Sequence, residues 1–445
     1  MCRLSSRTDA SNQAAWNDRK QPVTDPHAMP KPHPRLAAAA WLRAPATQRV
    51  LAAIVDGGGK ARVVGGAVRN TLIGRAVTDI DIATSVLPED VMARAERAGL
   101  VAIPTGLDHG TVTVVADHHP FEVTTLRHDV ETHGRRATVA FTEDWAGDAR
   151  RRDFTINALY CDADGTLHDF TGGAEDLAAH RVRFIGRPED RIAEDYLRIL
   201  RFYRFTAEYA EGTIDREGHA ACAALQAGLE QISAERIRAE LMKLLVAPHA
   251  LLAVSEMDET GLMARILGRA TDVVTFARLA AIETANAIAA DPVRRLYALA
   301  VREPDAAAGL RDRLRLSKVE FGRLADLVLP DRAFEPGDGE TRAKASIYRH
   351  GPETYRDGVL ISWARELSAA PDDPAWCEHL GLPDRWSAPR LPVGGRDVIA
   401  LGIPSGPDVG HILAVLSDWW MTAGFPDDPA LVRTRLATLV NLKKE

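Results

Sequence analysis

Thr78-Asp79-Ile80-Asp81 places two carboxylates two residues apart, and on an extended strand that spacing points both to one face. Acids held side by side repel unless a cation sits between them. Mg²⁺, which takes a few carboxylates together with substrate phosphates, is the natural occupant. Alone, such a pair is usually a solvated strand edge, but a third acid, Glu122, lies in the β-prone run Phe121-Glu-Val-Thr-Thr125. Three carboxylates on neighbouring strands are what two-metal phosphoryl or nucleotidyl transfer requires.

Three further segments could handle a nucleotide. Val64-Gly65-Gly66-Ala67-Val68-Arg69 reads as a strand end, a glycine turn and a helix start. Gly65 and Gly66 would let backbone approach a phosphate, and Arg69 could fork onto its oxygens. Arg150-Arg151-Arg152-Asp153 runs into Phe154-Thr-Ile-Asn157. The arginines could clamp a triphosphate, while Asp153 or Asn157 could bond a ribose hydroxyl or orient an arginine. Glu194-Asp195-x-x-Arg198-x-x-Arg201-x-x-Arg204 sets arginines every third residue behind an acid. On a helix, Asp195, Arg198 and Arg201 could form one polar ladder. A carboxylate beside a guanidinium offers acceptor and donors complementary to a base edge. For each segment taken singly, an ordinary turn or a solvated ion-paired face remains the competing reading.

The elements that must position these residues fall into two styles. Strand patterns at Ala61–Gly65, Asp79–Thr84, Gly110–Ala116 and Phe121–Leu126, with a helix over Pro88–Ala98, predict a mixed sheet with helices. One helical pattern covers Arg35–Val55, and residues 128–150 read as a long mobile loop. After a last strand signal at Val182–Ile185, apolar spacings of three and four predict an all-helical remainder. The expected fold class is α+β, with a tail at 1–34, a head at 35–170, a helical neck at 171–245 and a helical body and tail at 246–445. Trp376, Trp419 and Trp420 are expected to pack in that tail.

Composition excludes some classes. With 55 Lys and Arg against 62 Asp and Glu, the net charge of -7 rules out coating nucleic acid by bulk charge. An RNA contact must be a local basic patch, expected in the arginine-bearing head and neck. No apolar run is long enough to span a membrane, so no membrane partner is expected. Cys2, Cys161, Cys222 and Cys377 are far apart without a CxxC pair. No zinc site or disulfide framework follows, and a reducing, cytoplasmic setting is expected.

Taken together, Gly65-Gly66-x-x-Arg69, Thr78-Asp79-x-Asp81-x-Ala83-Thr84, His109-Gly-Thr111, Glu122-Val-Thr-Thr125, Arg151-Arg-Asp-Phe-Thr-x-Asn157 and Glu194-Asp195-x-x-Arg198 resemble the class II tRNA nucleotidyltransferases, the CCA-adding enzymes. The match runs from about 60 to 245. It implies a polymerase β-like nucleotidyltransferase head in which Asp79 and Asp81 carry Mg²⁺ and Glu122 completes the catalytic set. Gly65, Gly66, Arg69 and Arg152 would then hold the triphosphate, with Asp153 and Asn157 lining the nucleotide. Asp195 and Arg198 would read the base of CTP or ATP, and Arg201 and Arg204 would buttress them or touch phosphate. The partner would be tRNA, held by its acceptor arm and elbow, with no protein partner implied. Asn70 departs from the family's usual Asp, and no His-Asp phosphohydrolase pair accompanies the helical half. Poly(A) polymerases share the head motifs, so A-tailing of RNA stays open, as do C-only or A-only addition and a catalytically inactive RNA-binding protein.

Overall fold

The computed structural model describes residues 31–133, 136–303, 305–328, 333–335 and 337–444. Most of the expected 1–34 tail, with Cys2, therefore lies outside the described residues. The chain forms two compact units, one of residues up to 127 with 141–144 and 159–170, the other of 128–140, 145–158 and 171 onward.

Among the described residues there are nine strands: β1 Ala61–Val64, β2 Asp81–Thr84, β3 Val101–Gly106, β4 Thr111–Ala116, β5 His119–Thr125, β6 Arg127–His133, β7 Arg136–Phe141, β8 Leu159–Cys161 and β9 Leu167–Asp169. The first unit is built on a seven-stranded sheet in the order β3-β4-β5-β2-β1-β8-β9. It is mixed: β2 and β5 run parallel, while β1 is antiparallel to both β2 and β8. Central β1 reads Ala-Arg-Val-Val because strands flank it on both sides. β4 alternates, with Val112, Val114 and Ala116 buried. The helices Pro45–Val55 and Pro88–Arg97 cover that sheet. The second of these starts with Pro88, carries Glu89 and Asp90 in its first turn and Arg94 and Arg97 in its last, matching the helix dipole.

Three expectations differ from the structure. The Arg35–Val55 pattern is three helices, Pro34–Ala38, Ala40–Arg43 and Pro45–Val55. Ala44 precedes Pro45, whose ring disfavours helical geometry before it, and Ala44 sits at φ -57, ψ 134. β3 lies outside the expected strands: it contains Pro104, which is tolerated because β3 is a sheet edge. Residues 128–150 are not a long loop: β6 and β7 form a separate two-stranded ribbon, followed by the helix Trp145–Arg150. β6, Arg-His-Asp-Val-Glu-Thr-His, is carried by polar residues, which hides it from a search for apolar periods, while β7 alternates Ala137, Val139 and Phe141 in too short a run to mark a strand by itself. Val182–Ile185 makes only a single bridge, Phe154 to Phe184.

The second unit is helical from Gly173 onward. Phe154, Phe184, Phe202 and Phe205 form one aromatic cluster, with centroids 4.9 to 6.3 Å apart. Further along, Trp363 stacks on buried Trp376 at 6.0 Å, and Trp420 anchors a C-terminal core with Phe425 and Leu416. Among the described residues, no helix is long and apolar enough to cross a membrane.

A buried charge network ties the helices Val273–Ala285, Pro292–Ala300, Lys318–Asp326 and Glu340–Arg365 together. Glu283, 1% exposed, accepts from Arg294 Nε and Arg295 Nε, each at 2.8 Å. Asp357 accepts from Arg294 at 3.0 Å and from Arg323 at 2.5 Å. Arg295 also donates to the Leu245 carbonyl at 2.7 Å, at the end of the helix Ala234–Leu245. Removing one member of such a network strands buried charge. Glu283→Ala should therefore destabilise the helical unit by about 3 kcal/mol or more, read by urea unfolding followed by circular dichroism. An unchanged midpoint would show that the network contributes nothing net.

Candidate active site

Strand register brings two of the acids together. Asp81 opens β2 and is the register partner of Glu122 on parallel β5, and both are exposed. Asp79 is not on the strand. β2 starts at Asp81 because its partner there is Val64, the last residue of β1, and Gly65 then turns the chain away at φ 73, ψ -121. Asp79 sits in the preceding loop, exposed, and accepts from Thr78 Oγ1 at 3.0 Å. The expected pair of acids on one strand is thus a pair across two strands plus a loop acid two residues earlier.

Gly65 needs to be glycine for its backbone alone. It donates its N–H to Leu159 O at 3.0 Å and opens the helix Gly66–Leu72. Gly66 differs: its φ is ordinary, and an added Cβ would sit 3.8 Å from the Arg69 guanidinium, a normal contact. What the missing side chain leaves is room beside Arg69, which is itself buried.

In the second unit, Asp153 is the hub. Its carboxylate accepts from Phe154 N–H at 2.9 Å, Asn157 Nδ2 at 3.0 Å, and Arg201 Nε and Nη2 at 2.8 and 2.6 Å. Burial pushes the Asp153 carboxyl up, but Arg201, with the Asn157 hydrogen bond and Arg198, outweighs it and holds the group below its ordinary range. Two strand-like backbone bonds clamp the same turn, Ile185 N–H to Asp153 O and Thr155 N–H to Arg183 O, both 3.1 Å. Arg152 pairs with fully buried Asp148 at 3.4 Å, and Arg151 does so at 2.7 Å.

The expected Asp195–Arg198–Arg201 ladder does not form. The helix breaks between Pro188–Glu194 and Leu197–Tyr209, with Asp195 extended at φ -155, ψ 106. Asp195 instead accepts from Arg236 Nη2 at 2.7 Å and from Leu197 N–H at 3.1 Å. Arg198 donates to Glu194 at 2.5 Å, and Arg201 goes to Asp153. Arg204, buried, meets Glu240 at 2.5 Å and Glu208 at 2.8 Å. These arginines are engaged with internal acids, the ion-paired alternative to a ladder.

Sequence reasoning missed Asp148, Arg191, Arg236 and Glu240, and gave Glu194 no partner. Arg191 Nη1 bonds Glu194 at 2.5 Å, and Nη2 donates to the Arg151 and Arg152 carbonyls, the latter at 2.9 Å. Burial and neighbouring Arg198 pull Arg191 below the usual arginine range. Arg236 and Glu240 stand four apart, each one residue before an apolar position, Ile237 and Leu241. That spacing puts both on one helix face beside the apolar stripe, the signal that could have found them.

Residues 61–183 match the family model described as Poly A polymerase head domain, and 213–272 match that described as Probable RNA and SrmB- binding site of polymerase A. The chain is 38% identical to CCA tRNA nucleotidyltransferase 1, mitochondrial, of Danio rerio, over 81% of this chain and 83% of that protein. It is 36% identical to the CCA-adding enzyme of Geobacillus stearothermophilus, over 79% of this chain and 86% of that one. The chain belongs to the CCA tRNA nucleotidyltransferase family. Among solved structures, the Bacillus stearothermophilus CCA-adding enzyme in complex with CTP superposes with a TM-score of 0.68 at 27% identity, covering 90% of this chain and 99% of that chain. The Thermotoga maritima CCA-adding enzyme complexed with tRNA gives 0.63 at 21% identity, over 88% of this chain and 94% of that chain, a likeness of fold.

Within this nucleotidyltransferase family, the Asn70 departure has a structural answer. Asn70 Oδ1 accepts from Arg69 Nε at 3.2 Å, and its Nδ2 donates to Ala76 O at 3.1 Å. The hydrogen bond that orients Arg69 is present without a formal charge. CCA tRNA nucleotidyltransferases, like other nucleotidyltransferases, work with a divalent metal ion. Among the described residues no three His, Cys, Asp or Glu side chains form a ready-made metal cage. Two exposed carboxylates in register still fit a hard cation whose other ligands are substrate phosphates and water.

The Asp153 hub sets a pH dependence. A carboxyl whose folded value is depressed contributes stability that is complete above its unfolded value and is lost as pH falls through the folded value. The unfolded chain binds that proton first, so Asp153 steepens the acid limb of the stability curve below the ordinary carboxylate range. Asp153→Asn should be less stable at pH 7 and show a shallower loss on acidification, measured by urea unfolding at stepped pH. Parallel acid limbs would assign the effect to another group.

Proposed function

We propose that this chain adds CCA to the 3′ end of tRNA from CTP and ATP, releasing pyrophosphate, with the protein as template. The observation that carries this reading is Asp195, a carboxylate fixed at a helix break by Arg236 and the Leu197 N–H one turn ahead of Arg198. An ionised carboxylate only accepts hydrogen bonds. Cytosine and adenine both present an exocyclic amino donor, whereas uracil and guanine present a carbonyl there, so Asp195 attracts the first two and repels the others. Arg198, a donor only, complements the ring acceptors beside that amino group.

Asp79, Asp81 and Glu122 form the acidic set and Mg²⁺ is the ion they take, Asp79 and Asp81 as its ligands. When bound, that ion neutralises triphosphate charge and lowers the pKa of the primer hydroxyl. Gly65 shapes the turn, Gly66 leaves room for phosphate, and Arg69 and Arg152 neutralise it. The tRNA 3′-hydroxyl attacks the α-phosphorus in line, and pyrophosphate departs. Asp153, Asn157, Arg201 and Arg204 work at one remove, holding the turn and the Leu197 helix. We assign 35–170 as the catalytic head, 171–245 as the neck that reads the base, and 246–445 as the body and tail that hold the acceptor arm and elbow. A cytoplasmic setting suits the free, buried thiols of Cys161 and Cys222.

The test is incubation of the full chain with Mg²⁺ and a tRNA lacking its CCA end, with CTP, ATP or both, followed by sequencing of the products. CTP alone should give two added C residues and both nucleotides C, C and A, with no further growth. A long A tail from ATP alone would reassign the chain to poly(A) synthesis, and C-only or A-only products to a split system. No product under any condition would support the inactive RNA-binding reading. Asp79→Ala should lower transfer by at least about a thousandfold while tRNA binding, by filter retention, stays near wild type. Normal turnover in that variant would remove Asp79 from the metal assignment.

A further inference from the structure

Tyr196 directly follows Asp195 and opens the Leu197 helix at φ -61, ψ -16. Its ring lies where a side chain on Gly228 would be: a Cβ there would fall 1.9 Å from Cδ1, 2.0 Å from Cε1 and 2.4 Å from Cγ of Tyr196. Gly228 is buried in the short 3-10 helix Gln226–Gln231. Its φ is outside the left-handed range, so its backbone does not require glycine. The requirement comes from the ring. The same side of the break is already constrained at Asp195, through Leu197 N–H and Arg236.

We infer that Gly228 is a positioning residue for nucleotide selection. The absent side chain makes a slot that seats the Tyr196 ring, and the seated ring fixes the backbone of Asp195-Tyr196-Leu197. The Asp195 carboxylate then presents its remaining lone pairs at one fixed place to an incoming amino group. An alanine at 228 must displace either the ring or the short helix. Because Tyr196 adjoins Asp195, a shift of well under a residue length misaligns the acceptor. The proposal rests on the reading of Asp195 as the group that meets the base.

The test compares the full chain with Gly228→Ala, Tyr196→Ala, Tyr196→Phe, the double variant Gly228→Ala/Tyr196→Ala, and Asp195→Ala. Steady-state kinetics with CTP, ATP and UTP on tRNA lacking its CCA end give KM, kcat and discrimination against UTP. Gly228→Ala should raise KM for CTP and ATP about tenfold and weaken rejection of UTP, with kcat changed by less than about threefold. Its melting temperature should stay within about 5 °C of wild type. Tyr196→Phe should match wild type, since the ring and not the hydroxyl fills the slot. The double variant should match Tyr196→Ala, because without the ring the added methyl meets nothing. If Gly228→Ala does not fold, the double variant still decides the matter.

Wild-type KM and selectivity in Gly228→Ala, alongside impaired Asp195→Ala, would overturn the positioning role and leave the base-reading role standing. Additive losses in the double variant would also overturn it, since alanine would then act other than through the ring. Wild-type selectivity in Asp195→Ala would overturn the base reading itself and this inference with it.

Discussion

The second unit is organised around one largely enclosed carboxylate. Asp153 accepts from its own turn, through Phe154 N–H and Asn157, and from the Leu197 helix, through Arg201. Arg201 extends the connection to Glu240 at 3.6 Å, and Glu240 takes Arg204 at 2.5 Å. One acid therefore ties the arginine turn to the Leu197 helix, and a second ties that helix to the Ala234 helix. Burying these charges is tolerable because nearly every lone pair and N–H in the chain of contacts finds a partner. A neutral residue at 153 would leave half-buried Arg201 with only the longer contact to Glu240, and the turn would lose its tie to the Leu197 helix.

The two units position their polar groups by different means. In the sheet unit, backbone ladders do it: Val64 opposite Asp81 and Asp81 opposite Glu122 are consequences of register, and a slip of one residue would turn the acids to the other face. In the helical unit, side-chain ion pairs do it, Asp195 with Arg236 and Arg198 with Glu194. The division suits the two tasks proposed for them. Chemistry at phosphorus is the same for every nucleotide and is served by a rigid frame, whereas selection between bases needs hydrogen-bonding groups whose protonation and direction are set one by one.

What was legible in the sequence follows the same division. The glycine turn, β1, β2, β4 and β5 were readable because each is a local pattern. Asp81 and Glu122 were nominated correctly as neighbours because two β runs carried them. The helical pairs were not readable, because Asp195 and Arg236 are 41 residues apart and Arg201 and Asp153 are 48 apart. Local spacing offered Arg198 and Arg201 as the partners of Asp195, and the break at Asp195 defeated it. A helix continuous through 195 would have kept an i, i+3 geometry, but the chain is extended there. The β6–β7 ribbon is hidden for another reason, since β6 is written in polar residues and leaves short β7 without a readable partner.

The arginine spacing expected to make one polar ladder is instead a wiring pattern of separate ion pairs. Arg191 and Arg198 converge on Glu194, Arg201 on Asp153, and Arg204 on Glu240 and Glu208. A phosphate reaching any of these guanidiniums would compete with a carboxylate already in place, at distances where charge-assisted bonds are strongest. This is also why a chain of net charge -7 can carry so many arginines in one short stretch: the acids that lower the net charge are the partners that orient them. Arginine is suited to the task, because its planar fork can hold one acid through two N–H groups, as Arg201 does with Asp153, and still reach a second, as it does with Glu240. Lysine at these positions would keep the charge and lose the connection, so the segment's information lies in the geometry of its donors more than in its charge.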